Sequence, residues 1–160
     1  MPGSSVLTDA WFKKILISGS DESFMLLVKE HIINDFKKRN FFIDVSNNYN
    51  GNIMGNLFSE KKTLFVLSDF PANKEINPEG LDDISILVAS PNGKKTNAIK
   101  PKLAKNKESL VIECYSMDRI SKENTLKNYI ENNNLKLSND VFWYIIENFD
   151  NKYVIFIKQL

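Results

Sequence analysis

Five short apolar runs recur along the chain, each too brief for a helix, and they restrict the folds open to it more than any other feature. They are Ile15-Leu16-Ile17-Ser18, Phe41-Phe42-Ile43-Asp44-Val45, Thr63 to Leu67, Ile84 to Ala89 and Leu110 to Glu113. The last three are continuously apolar rather than alternating, which marks strands covered on both faces. The first run ends at Gly19 and leads through Ser20-Asp21 into a helical pattern from Glu22 to Lys38. There Phe24, Leu27, Val28, His31 and Ile32 recur at three- and four-residue spacings, which predicts an apolar stripe carrying His31 as a packed core histidine. Strands alternating with helical or loop segments and buried on both faces predict a parallel sheet flanked by helices, joined by right-handed crossovers. The class is therefore α/β through about residue 115.

Beyond that point the pattern changes. Ser121 to Asn133 reads as a helix with Leu126, Tyr129 and Ile130 on one side, and Ser138 as the N-cap of another that runs through Phe149. No strand intervenes, so an α/β unit over 1–116 and a small helical unit over 117–160 are expected. The final stretch, Tyr153-Val154-Ile155-Phe156-Ile157, is a run of β-formers that propensity alone assigns to a strand. Ile53, Met54, Leu57 and Phe58 predict a brief helix with an apolar edge between the second and third strands.

With 160 residues, 42% of them hydrophobic, the chain has enough material for a core without covalent staples. Its single Cys114 can form no internal disulfide and, with one histidine in the chain, no Cys/His zinc quartet. Neither residue supports a catalytic or metal site, and Cys114 reads as a small buried hydrophobe. No apolar run approaches the roughly 20 residues a membrane span requires, and the N-terminus lacks the plan of a secretory signal. A cytoplasmic protein without a membrane partner is the expectation. The net charge of +1 favours no partner globally. Charge is nevertheless concentrated locally, since Lys94, Lys95, Lys100, Lys102, Lys105 and Lys107 form a run with no acidic residue before Glu108.

In an open α/β sheet, ligand-binding loops follow the carboxyl ends of the strands. The loop Gly19-Ser20-Asp21-Glu22-Ser23 lacks the second glycine and the Gly-Lys-Ser/Thr ending of a phosphate-binding loop. It places two carboxylates where polyphosphate would sit. Asp21 and Glu22 read as a cap and a dipole complement for the following helix, and Asp69 as a turn carboxylate. No catalytic residue, cofactor or metal is assigned. A divergent nucleotide-binding hydrolase using Asp21, Glu22 and Asp69 around a metal is the rival from the enzyme class. Leu57-Phe58, two large apolar side chains in a polar setting, are either packed onto the sheet or an exposed anchor for a partner's pocket. The lysine run is either a solvated helix face or a DNA-binding element, with Lys94, Lys95, Lys100 and Lys102 as candidate phosphate contacts.

Taken in order along the chain, several segments resemble the delta subunit of bacterial DNA polymerase III, the clamp-loader subunit that opens the sliding clamp. They are Ile15-Leu16-Ile17-Ser18-Gly19-Ser20-Asp21; Asn56-Leu57-Phe58-Ser59 before Lys62-Thr63-Leu64-Phe65-Val66-Leu67; Ile86-Leu87-Val88-Ala89 followed by Lys94-Lys95; Val111-Ile112-Glu113-Cys114; and Leu126 to Ile130, Asn134 to Ser138, Phe149-Asp150-Asn151 and Lys158-Gln159-Leu160 in the tail. The resemblance implies an AAA+-like, P-loop NTPase type of sheet of five parallel strands without a functional P-loop, followed by a helical lid. It implies a non-enzymatic role in DNA replication in which Leu57 and Phe58 enter a pocket of the sliding clamp. It further implies other clamp-loader subunits as partners, and primer-template DNA through the complex. By the same resemblance Lys152 to Leu160 is a helix, against propensity. Three departures stand out: the family's third, collar domain has no counterpart before Leu160; Pro101 should kink or shorten the helix after the fourth strand; and Asn151-Lys152-Tyr153 stands where the family prefers a small acidic turn and an acidic-rich last helix.

Overall fold

The computed structural model describes residues 12–45, 62–67 and 84–160. Five strands, β1 (Lys14–Gly19), β2 (Phe42–Val45), β3 (Thr63–Leu67), β4 (Ile84–Ala89) and β5 (Ser109–Cys114), form one sheet in the order β2-β3-β4-β1-β5. Every neighbouring pair is parallel, with Leu16 opposite Val88 on one side and Val111 on the other. The continuous apolar runs have the predicted meaning. Ile15, Ile17, Leu64, Val66 and Leu87 point to one face, while Leu16, Phe65, Leu67, Ile86 and Val88 point to the opposite one. The first face is covered by α1 (Glu22–Lys38), the second by α2 (Lys94–Ala104), which contributes Leu103. β2 lies at the edge, and its Phe42 and Val45 are largely exposed.

The stripe that α1 buries is rotated from the predicted one. Met25 and Ile32 are buried with Val28 and Phe36 packed beside them, whereas Leu27 and His31 face outward. Phe24 to Val28 is unbroken apolar sequence, so helical spacing alone allows several stripes, and contact with the sheet selects one. His31 is thus exposed rather than a packed core histidine. Pro101 leaves α2 continuous to Ala104. Pro101 costs the helix one i to i−4 hydrogen bond, and both Pro101 and Asn97, whose carbonyl loses that donor, are exposed.

The tail forms three helices, α3 (Arg119–Asn132), α4 (Asn139–Asn148) and α5 (Tyr153–Gln159). They surround a separate apolar cluster of Leu126, Ile146 and Phe156. Asp118 and Ser138 cap α3 and α4, accepting from the backbone N–H groups of Ser121 and Val141. The final stretch is helical, so the strand that propensity favours is overturned. Phe156 is fully buried against the other two helices. That burial on one helical face outweighs a β preference spread over only about 1 kcal/mol. No described helix is long and apolar enough to cross a membrane.

Candidate functional site

Because all five strands are parallel, their carboxyl ends share one edge, and β1, between β4 and β5, feeds the loop to α1 there. Gly19 makes the turn possible. Its φ of +154° is a region side chains rarely adopt, and a Cβ there would lie 1.8 Å from the Cys114 carbonyl oxygen. The close approach brings the loop onto β5, where the Ser20 and Asp21 backbone N–H groups both donate to Cys114 O at 3.0 and 3.1 Å. In a phosphate-binding loop such amides face the anion. Here they are committed to the neighbouring strand.

Asp21 is fully buried and caps α1. Its Oδ1 accepts from Ser23 Oγ (2.7 Å) and from the Phe24 N–H (3.1 Å). Its Oδ2 accepts from the Tyr153 N–H, 132 residues away in the first turn of α5, at 3.1 Å. Burial alone would raise the Asp21 pKa. The bonds from Ser23, Phe24 and Tyr153 and the nearby charge of Lys152 outweigh it, leaving the carboxyl below its ordinary value. The Phe24 and Tyr153 rings meet beside it, 4.9 Å between centroids. An anion therefore does sit at the α1 N-terminus, and it belongs to the protein. Cys114 is buried as expected, its thiol pushed up by burial and by the Asp21 charge.

A second polar group lies on the α2 side of the same edge. Lys100 Nζ bonds Glu113 Oε1 at 2.9 Å and Asn92 Oδ1 at 2.8 Å, with Tyr115 Oη at 3.4 Å. Tyr115 Oη donates to Glu113 Oε1. Burial pulls the Lys100 pKa down, but its bonds to Glu113 and Tyr115 raise it above its ordinary value overall, while the Lys100 bond holds Glu113 low. Of the candidate phosphate contacts, Lys100 is thus engaged within the fold. Lys94, Lys95 and Lys102 stand exposed on α2. Leu57, Phe58 and Asp69 lie outside the described residues, and Glu22 is exposed.

Sequence reasoning missed Lys122. It is buried on α3, its Nζ donating to the carbonyl oxygens of Ile146 (2.8 Å) and Phe149 (2.6 Å) and to Asn151 Oδ1 (3.1 Å). It neutralises the carbonyl end of α4, and burial pulls its pKa down against the charge of Asp150. The signal was present, since Lys122 lies one turn before Leu126 on the stripe that continues to Tyr129 and Ile130.

No protein-family model and no curated protein matches the sequence. Solved structures do match. One is AMPPCP-bound DnaA from Aquifex aeolicus, with a TM-score of 0.53 at 22% identity over 92% of this chain and 53% of that one. Another is the replication initiator DnaA bound to AMPPCP and single-stranded DNA, with a TM-score of 0.56 at 19% identity over 93% of this chain and 54% of that one. The chain spans about half the length of these structures. With its five parallel strands in the order β2-β3-β4-β1-β5 and helices on both faces, the protein has the AAA+, NTPase-like α/β fold.

Proposed function

We propose that this protein is a non-hydrolysing replication subunit of the clamp-loader delta type, which binds a ring-shaped sliding clamp and stabilises its open form. The observation that carries the reading is the buried Asp21 carboxylate. In an AAA+-like fold it takes the place at the α1 N-terminus that a nucleotide phosphate would need, with the loop amides of Ser20 and Asp21 turned to Cys114. Such a chain acts by binding, and a ligand that favours one of two states shifts their equilibrium by its differential affinity alone. ATP is consumed by sister subunits in this scheme. Leu57 and Phe58 are the proposed clamp anchor, on the resemblance of Asn56-Leu57-Phe58-Ser59 to the delta motif. Support for a replication role comes from the fold, which is shared with a replication initiator.

The test is binding of the chain to the sliding clamp of its own replication system, beside the Leu57→Ser, Phe58→Ser double variant. Buried apolar anchors contribute about 2 kcal/mol each, so loss of both should lower affinity by roughly 1,000-fold with the melting temperature nearly unchanged. Undiminished binding by the variant, or no binding by the folded wild type, refutes the proposal. A large fall in melting temperature would show the pair to be core. Mg·ATP should leave the wild-type melting temperature unmoved, and a rise would favour the hydrolase reading.

A further inference from the structure

The six lysines between Lys94 and Lys107 are not equivalent in the fold. Lys100 turns to Glu113, and the acidic residue that ends the run, Glu108, pairs with Lys13 at 3.2 Å. At about 100° per residue, Lys94, Lys95, Lys102 and Lys105 fall within an arc of about 100° on α2 and its C-cap. That arc lies roughly opposite the buried Thr96 and Leu103. All four are exposed, and none is ion-paired with a described residue. They extend over about 17 Å of helix.

Lys102 and Lys105, in the last turn and at the C-cap, complement the helix dipole, but the N-terminal pair works against it. Lys94 and Lys95 occupy the first turn, where the helix dipole is already positive, and that turn holds no acidic residue. Gly93, the N-cap, supplies no side-chain acceptor, and the space around its Cα is open. Among the described residues nothing offsets the charge of Lys94 and Lys95 there, a local rule broken without compensation that points to a partner, and an extended polyanion would neutralise all four lysines together. The residues between the lysines narrow its identity. Asn97, Ala98 and Pro101 are exposed on or beside the arc, so a backbone can approach closely. Among the described residues the arc carries no aromatic ring to stack unpaired bases and no large apolar side chain to anchor a protein or enter a bilayer. We infer that the outer face of α2, through Lys94, Lys95, Lys102 and Lys105, binds the phosphate backbone of double-stranded DNA without reading sequence. This goes beyond the clamp reading and does not depend on it.

The experiment is fluorescence anisotropy of the full chain with a labelled DNA duplex of arbitrary sequence across a salt series. Four phosphate contacts give a slope of log K against log salt near −3.6, or about a 150-fold loss of affinity between 50 and 200 mM salt. Each single Lys→Ala change should reduce the slope by about one, and the fourfold Lys→Ala variant should abolish binding, while the fourfold Lys→Arg variant retains it. Circular dichroism establishes that each variant is folded. A Lys127→Ala, Lys136→Ala control on the helical tail should bind as wild type. The inference is overturned if the folded wild type does not bind at 50 mM salt, or if the fourfold Lys→Ala variant binds unchanged. It is equally overturned if the control loses as much, or if single-stranded DNA or polyglutamate of equal charge competes as well as duplex.

Discussion

Replacing Asp21 with alanine removes a side chain that hydrogen-bonds both the α1 N-terminus and the α5 backbone. Loss of an aspartate N-cap costs about 1 kcal/mol. The Tyr153 N–H is left facing a partly buried site with no acceptor, at about 1–3 kcal/mol. Ser23, partly exposed, turns its hydroxyl to water and adds little. The sum, about 3 kcal/mol, lowers the melting temperature of a chain of this length by about 6–12 °C. Asp21→Asn keeps one oxygen for the Phe24 N–H and loses about half as much. The pH dependence has a definite sign. Because the folded carboxyl titrates below its ordinary 3.8, its stabilisation is fully present above that value and is lost as pH falls through the folded pKa. The difference between wild type and Asp21→Asn should therefore be constant from neutral pH down to about pH 5, and narrow below pH 3.8. Calorimetry across this range, with amide exchange at Tyr153, tests both parts. An Asp21→Ala protein that melts within about 2 °C of wild type at pH 7, or unaltered Tyr153 exchange, refutes the reasoning.

Two further substitutions probe the same architecture. Gly19→Ala places a methyl group 1.8 Å from the Cys114 carbonyl oxygen, a backbone atom that cannot yield without separating β1 from β5. A loss of about 4 kcal/mol or more is expected by urea titration, and a change under about 1 kcal/mol would disprove the close approach. Lys122→Met fills the same space but leaves the Ile146 and Phe149 carbonyl oxygens without their donor. It should cost about 2 kcal/mol and raise amide exchange in α4 and α5, whereas a more stable variant would show that burying the ammonium outweighs its bonds.

The α/β class was legible because its signal is compositional. Thr63 to Leu67 and Ile84 to Ala89 are apolar at every position but Thr63 and Ser85, and runs so short and continuous fit strands covered on both faces; both emerged within the expected bounds. The α1 helix ran as expected from Glu22 to Lys38 because its cap and its length are local properties. The final segment was not legible in its residues, since Val154, Ile155 and Ile157 prefer a strand and only contact with α3 and α4 makes a helix the better way to bury Phe156. The resemblance to the delta family anticipated that helix from order along the chain.

At the carboxyl edge of the sheet, the sequence by itself determined what was missing. Without a second glycine and a Gly-Lys-Ser/Thr ending, the loop after β1 could not be a standard phosphate-binding loop, and Asp21 before Glu22 read as a helix cap. Only the tertiary structure decided what the cap also does, because Tyr153 is 132 residues away and no local pattern pairs the two. The lysine run divides in the same way. Sequence placed six like charges together, and the fold turned one of them to Glu113 and set four on a common outer face. Local sequence specifies dihedral preference, capping and charge density, quantities summed over neighbouring residues. Which groups meet across the fold depends on packing free energy summed over the whole chain, and that is not contained in any one segment.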